Sequence, residues 1–166
     1  MIHNTAERIK EIIPQERILV VTNNDYVDIV KEQLPKVPDT NIVGEPVAKN
    51  TAPCVAIAAE LLIKQDPDAV MVVLPADHHI TDPEEFRKIL ITAIAKAESG
   101  DELVTIGIKP DRPETGFGYI HADRSKSEEV ENNNVERVLA FKEKPSEDVA
   151  QEFLDSGDRE FRSTLT

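Results

Sequence analysis

Residues 69–80, AVMVVLPADHHI, constrain the fold more than any other stretch of the chain. The apolar, largely β-branched run from Ala69 to Leu74 is short for a helix. It reads as a strand covered on both faces, as at the centre of a parallel sheet. Pro75 breaks the run and delivers Asp77, His78 and His79 just past its carboxyl end. Ligands of open α/β sheets sit outside the carboxyl ends of the strands, so Asp77 is a candidate metal ligand or base. The same residues also fit an aspartate that caps the next turn beside two solvated histidines.

The flanking sequence alternates helix and strand patterns. A first helix is expected with Asn4 as cap, Glu7 as its capping-box partner and Pro14 at its end. Strand Arg17–Thr22 follows, then a helix capped by Asn23 and Asn24, then a short strand Asn41–Gly44. A third helix begins near Thr51–Pro53, with Val55, Ala58, Ala59 and Leu62 on one face. After the central strand, Asp82 caps a fourth helix, Pro83 opens it, and Phe86, Ile89, Leu90, Ala93 and Ile94 follow at helical spacing. Glu102–Gly107 is another strand, Ile108–Gly118 a Pro- and Gly-rich loop, and Gly118–Ala122 a short strand. Asp123–Asn134 is expected to be an exposed polar excursion. Val135–Glu143 is a strand and Ser146–Leu154 a last helix, and Gly157–Thr166 lacks periodicity. The alternation predicts an α/β chain with a largely parallel sheet and one partial domain over residues 1–166.

Composition excludes several classes. A net charge of −13 opposes binding of a nucleic-acid backbone, which needs Lys and Arg, but not of a nucleotide, which needs a few donors and a cation. The lone Cys54 forms no intrachain disulfide and fits a reducing compartment. No apolar run approaches a membrane span and no leader pattern opens the chain, so a cytoplasmic protein without a membrane partner is expected.

Four places combine turn residues with polar groups. In Glu45–Ala52, EPVAKNTA, the side chains of Asn50 and Thr51 and the first N–H groups of a helix could meet an anion or the edge of a base; an ordinary helix cap has the same pattern. Asp77 with His78 and His79 is the second. In Glu114–Tyr119, ETGFGY, Gly116 and Gly118 let the backbone approach a ligand and Tyr119 can pack on a sugar, while a plain turn at a strand start would look alike. In Phe141–Pro145, FKEKP, Glu143 could accept from sugar hydroxyls and Lys144 could meet a phosphate, or both could be solvated charges.

In order, EPxxKNTAP, LPADHxI, GI-x-P-x-x-PETGFGYI and FKEKP strongly resemble the mannose-1-phosphate guanylyltransferases, from about Arg17 to Gly157. The resemblance implies a Rossmann-like nucleotidyltransferase core, a mostly parallel sheet flanked by helices, and transfer between GTP and mannose 1-phosphate with Mg²⁺. It assigns Glu45, Asn50, Thr51, Ala52, Pro75 and Asp77 to the nucleotide, with Asp77 as the Mg²⁺ ligand. Gly116, Gly118, Tyr119, Glu143 and Lys144 fall to the sugar phosphate. The resemblance implies Asp77 and Lys144 as the catalytic residues. A non-catalytic protein binding the same ligands, or a transferase for another base or sugar, would use the same residues.

The sequence departs from that family at both ends. The opening strand and GxGTRL loop are absent, and DREFRSTLT follows Gly157 where a WNSG segment belongs. The core is therefore expected to be incomplete. Exposed strand edges should lower stability or drive self-association into a homo-oligomer, and the chain alone should not turn over.

Overall fold

A computed structural model describes residues 1–47, 50–156 and 161–164, the last four by backbone alone. The chain forms two compact units that divide between Arg87 and Lys88.

In the first unit, α1 spans Ile2–Ile9 and β1 Val20–Asn23; α2 spans Val27–Gln33, β2 Ile42–Glu45 and α3 Thr51–Gln65. β1 and β2 pair in parallel, Val20 opposite Ile42 through Asn23 opposite Glu45. Ala6 of α1, Val30 of α2, Leu34 just past its end, Val37, and Ile42 of β2 form the buried core, with Ile18, Val20 and Val27 packed against it. The Asn41 amide holds the approach to β1, donating to the carbonyls of Glu16 at 2.9 Å and Ile18 at 3.1 Å.

Two expected features of this unit differ. Asn4 does not cap α1; it lies inside the helix, which starts at Ile2. The Glu7 carboxylate pairs with Lys10 at 2.6 Å instead of turning back to a cap. Ala69–Leu74 joins no strand ladder among the described residues, and Val73 is half exposed. An apolar run marks strand-competent sequence, but a strand exists only where a neighbouring backbone completes its hydrogen bonds.

The boundary falls inside α4, Pro83–Glu98. Its start is as expected: the Asp82 carboxylate accepts from the Glu85 N–H at 3.0 Å. In the second unit, β3 spans Gly118–Val130, β4 Asn133–Glu143, α5 Glu147–Asp155 and β5 Phe161–Thr164. The sheet is antiparallel, in the order β4-β3-β5. Tyr119, Ile120, Ala122, Leu90 and Ala150 are buried here.

The predicted excursion Asp123–Asn134 is a hairpin. Glu131 and Asn132 take positive φ of 49° and 61°, the pattern of a two-residue turn that matches strand twist. Its side chains are polar on both faces, so no alternation announces a strand. Asn133 ties it back, donating to the buried Thr92 hydroxyl at 2.8 Å. Glu102–Gly107 makes no ladder among the described residues, and Leu103 is fully exposed. The tail also departs from expectation, since Phe161–Thr164 pairs with β3. The fold is α/β, and among the described residues its parallel pairing is confined to two short strands.

Candidate nucleotide-sugar site

The nucleotide-side residues lie in the first unit. Glu45 ends β2 and is half buried. Asn50 stands at the N-cap position of α3 with φ 63°, and its side chain makes no capping hydrogen bond. Thr51 and Ala52 open the helix and are exposed. Ala48 and Lys49 of the same motif lie outside the described residues. Cys54, on the first turn of α3, is half buried. Burial first, and the Glu45 charge second, push its thiol pKa above the ordinary value.

Asp77 lies in the turn after Pro75, and its carboxylate is exposed. The backbone on both sides of it is held to α1. The Thr5 hydroxyl donates to the Ala76 carbonyl at 3.3 Å, and the Arg8 guanidinium donates to the His78 carbonyl at 3.1 Å. Arg8 also lies over the Phe86 ring, 5.6 Å from its centroid, and burial lowers its pKa. Sequence reasoning missed Thr5 and Arg8, because their partners are main-chain carbonyls about 70 residues away, which carry no side-chain signature. No group of three or more His, Cys, Asp or Glu is placed to hold a metal among the described residues. A lone exposed carboxylate still fits Mg²⁺, which binds through one or two carboxylates together with substrate phosphates.

The sugar-side residues lie in the second unit, and strand register brings them together. Gly118 opens β3 directly opposite Glu143, which ends β4. The Lys144 N–H donates to the Phe117 carbonyl at 3.2 Å. Lys144 takes φ 41°, a left-handed conformation that is strained for a residue with a Cβ. The side chains of Glu143 and Lys144 are exposed and lie 3.5 Å apart. Gly116 is held by its own N–H, which donates to the Glu114 carboxylate at 3.2 Å.

Tyr119 has a different placement from the one its motif suggested. It is fully buried, with its ring 5.4 Å from that of Phe153 in α5. In this conformation its face meets protein, so it does not offer a surface to a sugar. A hollow of about 150 Å³ lies beside it, lined by Lys109, Arg112, Glu114 and Phe117. That is smaller than the roughly 300 Å³ at which small-molecule pockets begin.

The fold is that of an α/β protein of the nucleotidyltransferase class. The chain belongs to the nucleotidyl transferase family, whose pattern matches residues 1–165. It is 38% identical over 159 residues to a putative mannose-1-phosphate guanylyltransferase of Vibrio cholerae, covering 95% of this chain and 33% of that protein. It is 43% identical over 141 residues to the alginate biosynthesis protein AlgA of Pseudomonas putida, covering 84% and 28%. A solved structure described as mannose-1-phosphate geranyltransferase from Thermus thermophilus matches with a TM-score of 0.80 and 29% identity, over 97% of this chain and 44% of that one. The chain spans about a third of the length of the curated relatives it matches.

Proposed function

We propose that this chain carries the sugar-phosphate side and part of the nucleotide side of a mannose-1-phosphate guanylyltransferase. The reaction converts GTP and mannose 1-phosphate into GDP-mannose and pyrophosphate. The observation that supports this most is the register of Gly118 against Glu143, with Lys144 bonded to Phe117. Two motifs about 25 residues apart in sequence thereby form one surface with a carboxylate, a cation and glycine backbone.

In this reading, Glu143 accepts hydrogen bonds from sugar hydroxyls and the exposed backbone at Gly116 lies against the ring, with the buried Gly118 fixing the strand start beside it. Lys144 meets the sugar phosphate as a point charge and steadies it for in-line attack. A phosphate oxygen of the sugar then bonds to the α-phosphorus of GTP, the bond to the β-phosphate oxygen breaks, and pyrophosphate leaves. Asn50, Thr51 and Ala52 meet the base, with Glu45 and Pro75 flanking them. Asp77 would hold Mg²⁺, which supplies charge neutralisation at the phosphates. The sequence has no Gly-rich loop leading into a helix to cradle a triphosphate. By itself the chain therefore binds its ligands without turning them over.

Calorimetric titration tests both halves. Mannose 1-phosphate should bind more tightly than glucose 1-phosphate, and GTP with Mg²⁺ more tightly than dTTP or UTP. Equal affinity across the bases would reject the guanine assignment, and GDP-mannose formed by the purified chain would reject the inactivity.

A further inference from the structure

Tyr119 is fully buried, yet its hydroxyl is fully engaged. It accepts from the Glu114 N–H at 3.0 Å and donates to the Glu114 carbonyl at 3.1 Å. One phenol thus bonds both main-chain groups of a single residue, as a facing strand residue does in an antiparallel ladder, and shares the Glu114 N–H with the Arg112 carbonyl at 3.0 Å. It does so where no strand is available, in the loop that leads into β3.

The rest of the loop follows from this anchor. With its backbone fixed, Glu114 turns its carboxylate to the Gly116 N–H at 3.2 Å, and its other oxygen lies 3.6 Å from Arg112. The phenol is itself fixed by the ring of Phe153 and by its place in the β3–β4 ladder, opposite Lys142. Fixed points therefore stand at both ends of Glu114–Gly118, and the second end is the residue opposite Glu143.

We propose that Tyr119 is a positioning residue: its hydroxyl sets the conformation of the Glu114–Gly118 loop and thereby the glycine backbone that receives the sugar. This rests on the sugar-phosphate reading of that surface. The hydroxyl acts through Glu114 and does not touch the ligand. Burying a phenol oxygen without partners is costly, so the two bonds also explain why tyrosine stands where phenylalanine would fill the same space.

The test compares the full chain with Tyr119→Phe, which keeps the ring and removes both bonds. Amide exchange of Glu114, left with only its Arg112 bond, and of Gly116 should accelerate at least tenfold in the variant, while Lys142, opposite Tyr119 in the ladder, keeps its protection. Affinity for mannose 1-phosphate should fall about tenfold, since a loop that must be ordered on binding lowers affinity by the fraction already in place. Unchanged exchange at Glu114, or unchanged affinity where the wild type binds, overturns the proposal. If the wild type does not bind mannose 1-phosphate, the sugar reading fails and the exchange data alone decide the clamp. If Tyr119→Phe does not fold, the wild type decides: a Tyr119 hydroxyl proton that exchanges as fast as a free phenol's in the folded chain overturns the clamp, and a slowly exchanging one supports it.

Discussion

Gly118 and Glu143 face each other at the open end of the β3–β4 ladder, and one residue further the Lys144 N–H reaches the Phe117 carbonyl at 3.2 Å. That bond turns the chain out of β4 through a left-handed residue and points the next segment to the buried Pro145. Lys144 thus carries backbone strain and, in the proposed reading, the charge that meets the sugar phosphate.

Lys144 therefore separates strain from charge. Lys144→Gly should stabilise the fold or leave it unchanged, since glycine relieves a cost of about 1–2 kcal/mol at positive φ. Lys144→Ala keeps the strain. Both remove the cation, so both should weaken mannose 1-phosphate binding by a similar factor. Thermal melts and titrations of the two variants check this; an alanine variant that binds as the wild type does would remove Lys144 from the site.

Local signals in the sequence held at α4 but not at α1, where Asn4 lies inside the helix and Glu7 pairs with Lys10. Asp82 with Pro83 and Glu85 marks the start of α4 because a cap is a contact between near neighbours. β1 and β2 were legible from their apolar runs, within a few residues. Ala69–Leu74 and Glu102–Gly107 were misread because ladder pairing depends on a distant backbone that a run of apolar residues does not encode. The hairpin at Glu131–Asn132 was missed for the opposite reason: its ladder exists under polar side chains. At the candidate site the residue types were legible, whereas the burial of Tyr119 was not. A tyrosine beside glycines looks the same whether its ring faces solvent or Phe153.

Gly44→Ala should destabilise the first unit. An added Cβ would fall on the Asn24 side-chain oxygen and within 2.9 Å of Val27 Cγ2. Asn24 can swing away, but Val27 packs against the core from α2. A loss of about 1–3 kcal/mol in urea unfolding is expected, the usual range for overpacking. An unchanged midpoint would mean that α2 slides freely over β2.

Cys54 should alkylate slowly at neutral pH. Its thiol pKa is raised by burial and by Glu45, so less thiolate is present than in a free thiol at the same pH. The rate against pH should have its midpoint above the free-thiol value. Glu45→Gln should bring it part of the way back, because the larger cause, burial, remains. The sign also sets stability: the protonated thiol favours the fold, so this contribution is full below the unfolded-state pKa and is lost as pH rises through the folded one. A midpoint at or below the free-thiol value would contradict the burial of Cys54.

Self-association should be measurable. β4 is an edge strand, and Val138, Leu139 and Phe141 on it are exposed. Ala122 pairs with Val138 while His121 pairs with Ala140, so Leu139 bulges from the ladder. An apolar edge with unpaired backbone groups recruits another strand. Sedimentation should therefore depend on concentration, and Leu139→Lys should shift the chain toward monomer. A wild-type monomer at all concentrations would reject this.

Asp77→Asn isolates the proposed metal ligand from the loop that carries it. The turn is fixed by carbonyls, at Ala76 through Thr5 and at His78 through Arg8, so removing the carboxylate charge leaves both holds intact. Melting should be unchanged, since the side chain is exposed. Binding of GTP with Mg²⁺ should fall about tenfold or more, while binding of GTP with the metal chelated should be the same in both proteins. Thr5→Val provides the converse case. It frees the Ala76 carbonyl while keeping the carboxylate, so it should weaken Mg²⁺-dependent binding less than Asp77→Asn and lower the melting point more. If Asp77→Asn binds Mg²⁺–GTP as tightly as the wild type, the cation is held elsewhere and the turn after Pro75 has only a structural role.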